Sequence, residues 1–194
     1  MSVNADLALY DLEGHLFGDV SPRYARGEDI SAFDFFCIVI WKANRAKSKI
    51  AEKLRQRGGT DATDLETAVQ SLVEDLRRTE NPEERMRVML KGWNFGLPMA
   101  SAILTVLYPE DFTVYDVRVC GQLGKFSNLG NLSKFERVWA GYCEYQKAVD
   151  EHISEGLSLR EKDRVLWARS FRAQLQQDIQ SGFARDSQEE AGPQ

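Results

Sequence analysis

The sequence of 194 residues is poor in the groups that most often hold small proteins together or bind metals. Cysteine occurs three times, at Cys37, Cys120 and Cys143, and histidine twice, at His15 and His152. The cysteines are odd in number, widely spaced and never in a CxxC pair. That argues against a disulfide framework or a zinc site and for a reduced, intracellular setting. Two scattered histidines do not build a metal centre, so no metal ligand set is expected. No apolar run approaches the roughly 18 residues that a membrane span needs, and no membrane partner is expected. The opening, MSVNADLALYDLEGH, lacks a basic region followed by an apolar stretch, so no signal peptide is expected. Alternating apolar and polar runs, the mark of half-buried strands, are nearly missing. The one β-like stretch is VLYPEDFTVYDV, residues 106–117, and Pro109 interrupts it. No repeat of solenoid length is present.

What remains is a core-forming, helix-patterned chain. Apolar residues make up 43% and aromatics 10%, enough to bury a core in one or two small domains. The net charge of −5 argues weakly against nucleic acid, but its distribution is uneven. Residues 42–57 hold Lys42, Arg45, Lys47, Lys49, Lys53, Arg55 and Arg57 against Glu52 alone. That segment is +6 and the rest of the chain −11. A Ser, Thr or Asn followed three residues later by an acid marks helix starts. Such pairs occur at Ser31–Asp34, Thr63–Glu66, Asn81–Glu84, Ser133–Glu136 and Ser158–Glu161. Pro82 suits a first helical position, and Gly58-Gly59 and Gly156 mark stops. The pattern predicts helices near 31–57, 63–79, 82–91, 97–108, 116–125, 133–154 and 159–180. Within the first, Lys42, Arg45, Lys49 and Lys53 share one face, and Ile40, Ala43, Ile50 and Leu54 the other. One reading is a solvated face on a core helix. The other is a helix lying along a DNA backbone, favoured because solvated faces usually mix signs. Residues 181–194 are polar and predicted disordered.

The informative segment is residues 82–123. A short helix ends at Lys91-Gly92, and Trp93-Asn94-Phe95-Gly96 makes a tight connection. A second helix begins near Leu97-Pro98, lined by Ala100, Ser101 and Ala102, whose small side chains allow close helix approach. Gly96, and Asn94 with its tolerance of positive φ, suit a compact hairpin. Backbone amides in such a turn can hold a phosphate and so grip a duplex without reading its sequence.

Gly92-Trp93-Asn94-Phe95-Gly96-Leu97-Pro98-Met99-Ala100 resembles the hairpin of the helix–hairpin–helix DNA glycosylases, the superfamily of endonuclease III, adenine-DNA glycosylase and 8-oxoguanine DNA glycosylase. In that family a hairpin of the form L-P-G-V-G-x-K-T-A is followed, sixteen residues after its alanine, by an aspartate in a V-D-T-x-V context. Here Asp116 lies sixteen residues after Ala100, in Val114-Tyr115-Asp116-Val117-Arg118-Val119. The close match covers about 35 residues. The apolar run Phe35–Trp41 before Lys42 is similar to the helix that opens the family's six-helix barrel. This chain departs from the family in three ways. Asn94 replaces the first hairpin glycine, Pro98 stands where bifunctional members carry a Schiff-base lysine, and the four-cysteine iron–sulfur loop is absent.

The resemblance implies an all-α, helix–hairpin–helix glycosylase-like fold, with two helical halves and a cleft between them. Residues 31–125 would form the barrel-like half with the hairpin at 82–108, and 126–180 the C-terminal half. Residues 1–30 would either wrap the surface or join that second half. It further implies a monofunctional DNA glycosylase acting on double-stranded DNA with a flipped base. Asp116 would stabilise the sugar cation and orient water. Asp116 as a plain helix cap is the bland alternative. DNA contacts would come from Trp93, Asn94, Phe95, Gly96, Lys91, Lys42, Arg45, Lys49 and Arg118, and base stacking or wedging from Trp41, Trp93 and Tyr115. Trp139 and Trp167 are assigned to the core. No cofactor is expected and no iron–sulfur cluster; a monovalent cation at the hairpin is the one inorganic partner the resemblance allows. A monomer, cytoplasmic and nucleoid-associated or nuclear, is expected. Two other functions compete: a helix–hairpin–helix protein that binds DNA without catalysis, and a helical protein-interaction module.

Overall fold

The computed structural model describes Leu7 and residues 9–58, 64–154 and 156–183. Every regular element among them is helical, and none is a strand. No helix among them is long and apolar enough to cross a membrane.

Residues 12–25 pack into the core and do not wrap the surface. Leu12–His15, a wider π-type turn at Leu16–Val20, and Ser21–Ala25 run on as one helical stretch, α1. Leu16, Val20 and Tyr24 recur every four residues and are buried, which makes α1 part of the core. Arg23 Nη2 donates to Asp34 Oδ1 at 2.9 Å and ties α1 to the next helix.

The long helix expected over 31–57 is two helices. α2, Ala32–Ala43, starts at the Ser31–Asp34 capping box. It breaks at Ala43, whose backbone leaves the helical region (φ −163°, ψ 88°). A short 3₁₀ turn, Asn44–Ala46, leads to α3, Lys47–Gly58. The burial pattern gives the reason. α2 buries Phe35, Ile38 and Val39 while Ile40 is exposed, and α3 buries Ile50, Ala51 and Leu54. These sets do not lie on one straight stripe, so each helix turns its own face inward. The predicted single basic face is therefore split: Lys42 belongs to α2 and Lys49 and Lys53 to α3.

α4, Leu65–Arg77, is capped by Asp64, whose side chain accepts from the Glu66 and Thr67 amides; Thr63, the predicted cap, lies outside the described residues. α5, Pro82–Arg87, is capped by Asn81 and extended by a π-type turn, Val88–Gly92. After Trp93–Gly96, α6 runs Leu97–Leu107. Every α6 residue but Pro98 is buried. A helix apolar all round must be surrounded, and α1, α2 and α5 pack against it. The two helices of the hairpin thus fall where the sequence puts them.

α7, Val117–Leu123, is capped by Asp116 and ends at Gly124 with φ 68°, the left-handed conformation glycine tolerates. α8, Phe135–His152, begins after Lys134 without a side-chain cap, so the Ser133–Glu136 cap does not form. α9, Leu159–Gln180, opens at the Ser158–Glu161 capping box and packs on α7 and α8. Ser181–Phe183 form a turn; the rest of the tail predicted disordered lies outside the described residues.

Candidate active site around Asp116

The site is built on residues 111–116, the stretch that reads as β in the sequence. It has no strand partner, yet buried backbone groups must be satisfied. Side chains do this work. Tyr142 of α8 accepts from the Thr113 amide at 3.1 Å and donates to the Thr113 carbonyl at 2.6 Å. Tyr145 donates to the Val114 carbonyl at 2.8 Å, and Gln146 to the Asp111 carbonyl at 2.8 Å. Ser101 Oγ of α6 accepts from the Tyr115 amide at 2.9 Å. Ser101 reads in the sequence as a small residue for close packing; it is also the anchor of this loop. Burial pushes the Tyr142 and Tyr145 hydroxyls well above the ordinary phenol range, so they stay neutral donors.

At the end of this loop Asp116 Oδ1 accepts from the Arg118 amide at 2.9 Å and caps α7. Its other oxygen, Oδ2, accepts from Lys42 Nζ at 2.5 Å. The two side chains are 13% and 19% exposed. Both open on a cavity of about 740 Å³, within the roughly 300–1,000 Å³ of small-molecule sites.

The cavity walls come from distant parts of the chain. α2 supplies Trp41 and Lys42, the loop Val114 and Asp116, α1 Glu13, and α9 Arg160, Asp163, Arg164 and Trp167. Arg160 is the hub. It pairs with Asp163 at 2.6 Å and Glu13 at 2.9 Å, and its guanidinium lies 5.1 Å from the ring centres of both Phe17 and Trp41. Phe17 packs edge-on to Trp41 at 5.7 Å. Asp163 is buried, and burial pushes its carboxyl up to about 6 against the pull of Arg160.

The expected site residues divide. Trp41, Lys42 and Asp116 meet at the cavity. Trp167, expected in the core, is 41% exposed, lines the same cavity and stacks on Phe171 at 5.5 Å. Arg118 donates to Gln174 at 2.6 Å and lies over Trp167 and Phe171. Trp139 is half-buried against Tyr142. Tyr115 is buried; its hydroxyl donates to the Phe126 carbonyl at 2.6 Å and burial raises it to about 12. It is a core residue, not a wedge. Arg160, Asp163 and Glu13 are not evident as site residues from sequence. One signal was available: Leu159, Lys162, Asp163 and Leu166 have core-facing helical spacing, and two of the four are charged.

The hairpin presents a different surface. Trp93 and Phe95, expected to face DNA, are buried. Trp93 Nε1 donates to Asp75 Oδ2 of α4 at 3.0 Å, and Phe95 lies against Phe35. Apolar rings in a tight turn are cheaper to bury than to leave in water. Asn94, Gly96 and Pro98 are the exposed alternates, with Asn94 at φ 54°. Lys53 donates to the Asn94 carbonyl, and burial together with the charge of Lys49 lowers its affinity for its proton. That carbonyl is thus already taken by an ammonium of this chain. Among the described residues the Gly96 and Leu97 amides have no acceptor. Lys91 donates to the Ser133 carbonyl at 2.8 Å, and Arg45 is exposed. No cluster of three His, Cys, Asp or Glu side chains among the described residues could hold a metal ion. Comparison with protein families, with curated proteins and with solved structures returns no match to this chain.

Proposed function

We propose that this chain is a DNA glycosylase that releases a damaged or modified base by hydrolysis. The observation that carries the reading is the meeting of Asp116, Lys42 and Trp41 at one cavity. In this reading a flipped base enters the cavity and stacks on Trp41, with Trp167 as a second aromatic wall. As the N-glycosidic bond lengthens, positive charge grows on the sugar, and the carboxylate of Asp116 stabilises it. The helix–hairpin–helix fold with two halves and a cleft is part of the same reading. So is the duplex grip, which falls to the Gly96 and Leu97 amides with Lys49 and Lys53, not to Trp93 or Phe95.

The test is a panel of duplexes carrying uracil, 8-oxoguanine, alkylated purines or hypermodified pyrimidines, incubated with the protein and then cleaved with alkali. The expected result is base release from at least one duplex, lost in Asp116→Asn while the fold and duplex binding persist. Release that survives this change would sink the mechanism. A second reading has a specific observation behind it. Asp116 is already engaged by Lys42 and by its capping bond, as in a scaffold that binds DNA without chemistry. That protein would bind duplexes with steep salt dependence and leave every base in place.

A further inference from the structure

α9 is packed for only half its length. Its buried residues are Lys162, Asp163 and Leu166, and none after Leu166 is buried. Among the described residues, the Arg118–Gln174 bond is the last that the rest of the chain makes to an α9 side chain. Yet the outer half is patterned for burial. Trp167, Phe171, Leu175 and Ile179 recur every four residues, along about 18 Å of helix, and Phe183 follows in the closing turn. Each of these five is between 38% and 65% exposed. A large side chain of this kind presents about 150–250 Å² when free, so roughly 500 Å² of apolar surface is left in water. That lies within the about 300–600 Å² of the largest apolar patch on a typical monomer, a patch that often marks a contact site. It is also most of the about 800 Å² that each partner buries in a standard interface. The flanking Ala168, Arg172 and Asp178 can supply the remainder.

We infer that this row pairs with the same row of a second copy, so that the protein forms a two-fold dimer through antiparallel α9 helices. The spacing fits a helix partner. A row at every fourth residue is the ridge that interlocks with a like ridge on another helix, at a crossing angle of about −50°. The order of side chains fits an antiparallel copy. The row runs from the bulky rings of Trp167 and Phe171 to the aliphatic Leu175 and Ile179. Crossing at Leu175 sets Phe171 of one protomer level with Ile179 of its partner, ring against aliphatic chain, twice by symmetry. Leu175 then meets its own copy at the axis. Charge fits as well. Residues 167–183 carry Arg169 and Arg172 against Asp178, a net of +1, so two copies meet with little repulsion. The same sparse charge suits neither a duplex backbone nor an anionic membrane surface. Residues 184–194 hold no apolar side chain larger than those of Ala184, Ala191 and Pro193, and so have nothing to cover the row. Trp167 and Phe171 are already stacked at 5.5 Å, an aromatic anchor held in place before the partner arrives. The pairing is independent of what the cavity does.

The test is sedimentation of the full chain over a range of concentrations, with circular dichroism to check the fold. Expected is a reversible species of twice the 22.1 kDa chain mass. Leu175→Glu and Leu175→Lys should each sediment as 22.1 kDa monomers with the parent's helix content. Mixed in equal amounts they should associate again, because opposite charges then meet at the axis. Gln177→Glu, two residues on and so on the far side of α9, should leave the dimer intact. A parent that stays monomeric up to about 1 mM overturns the inference, as does a dimer that both Leu175 variants leave intact. Monomeric variants that fail to associate when mixed overturn the antiparallel pairing. If the parent is a monomer and Leu175→Glu instead loses binding to a DNA duplex or to anionic vesicles, the row belongs to that occupant and self-pairing is refuted.

Discussion

Lys42 Nζ donates to Asp116 Oδ2 at 2.5 Å across 74 residues of sequence, joining the last turn of α2 to the first of α7. Each partner has a second duty: Asp116 caps α7 and Lys42 lines the cavity wall. This separates substitutions that damage structure from those that damage chemistry. Asn caps a helix about as well as Asp, whereas Ala costs about 0.5–2 kcal/mol. Asp116→Ala should lower stability by about that much, and Asp116→Asn by less, in urea denaturation. Both should reduce base release by about 100-fold or more. Equal stability loss in the two variants would show that the cap is not the structural role.

Ser101 offers a test of how the loop is aimed. Ser101→Ala keeps the helix packing but leaves the buried Tyr115 amide without its acceptor, a loss of about 1–3 kcal/mol. Tyr145→Phe removes the donor to the Val114 carbonyl and should cost a similar amount. Because both act one or two residues from Asp116, base release should fall further than the folded fraction does. Activity that simply tracks the folded fraction would deny them a positioning role.

Asp163 makes stability depend on acidity in an unusual direction. Burial pushes its carboxyl up to about 6, above the ordinary aspartate value of about 3.8. The folded state therefore holds its proton more tightly than the unfolded chain does. Its stabilising contribution is fully present below about 3.8 and is lost as pH rises through about 6. Thermal melts of Asp163→Asn and the parent protein between those limits should converge at the acid end and separate towards neutrality, the parent losing ground. Parallel curves across that window would refute the assignment.

Lys49 and Lys53 flank the hairpin, and phosphate contacts are read through salt. Lys49→Ala should weaken duplex binding evenly across sequences and lower the slope of log affinity against log salt by about 1. Arg55→Ala, exposed near the far end of α3, should change the slope less. An unchanged slope in Lys49→Ala would place the duplex elsewhere.

The hairpin was legible in the sequence because its signals are local. Asn94 sits in the left-handed region, Pro98 in the first turn of α6 and Asn81 at a cap, all decided within a few residues. Three of the five predicted capping starts place a side-chain cap where expected, at Ser31, Asn81 and Ser158. The break at Ala43 was not legible, since it follows from which neighbours α2 and α3 bury against. Trp93 and Phe95 misled because a turn between helices reads as surface, while their rings reach α4 and α2. The tyrosines of α8 hid among core residues because only the three-dimensional fold says which backbone their hydroxyls meet.

The loop bearing Asp116 is held by hydroxyls that follow it in the chain, Tyr142 and Tyr145, and the opposite cavity wall comes later still, from α9. During synthesis, which delivers the N-terminal part first, the paired helices around the hairpin emerge with Ser101 but well before the tyrosines of α8 that complete the anchoring of this loop. In the proposed reading, a growing chain would therefore acquire its means of gripping a duplex before it acquires a complete cavity, whose far wall arrives only with α9.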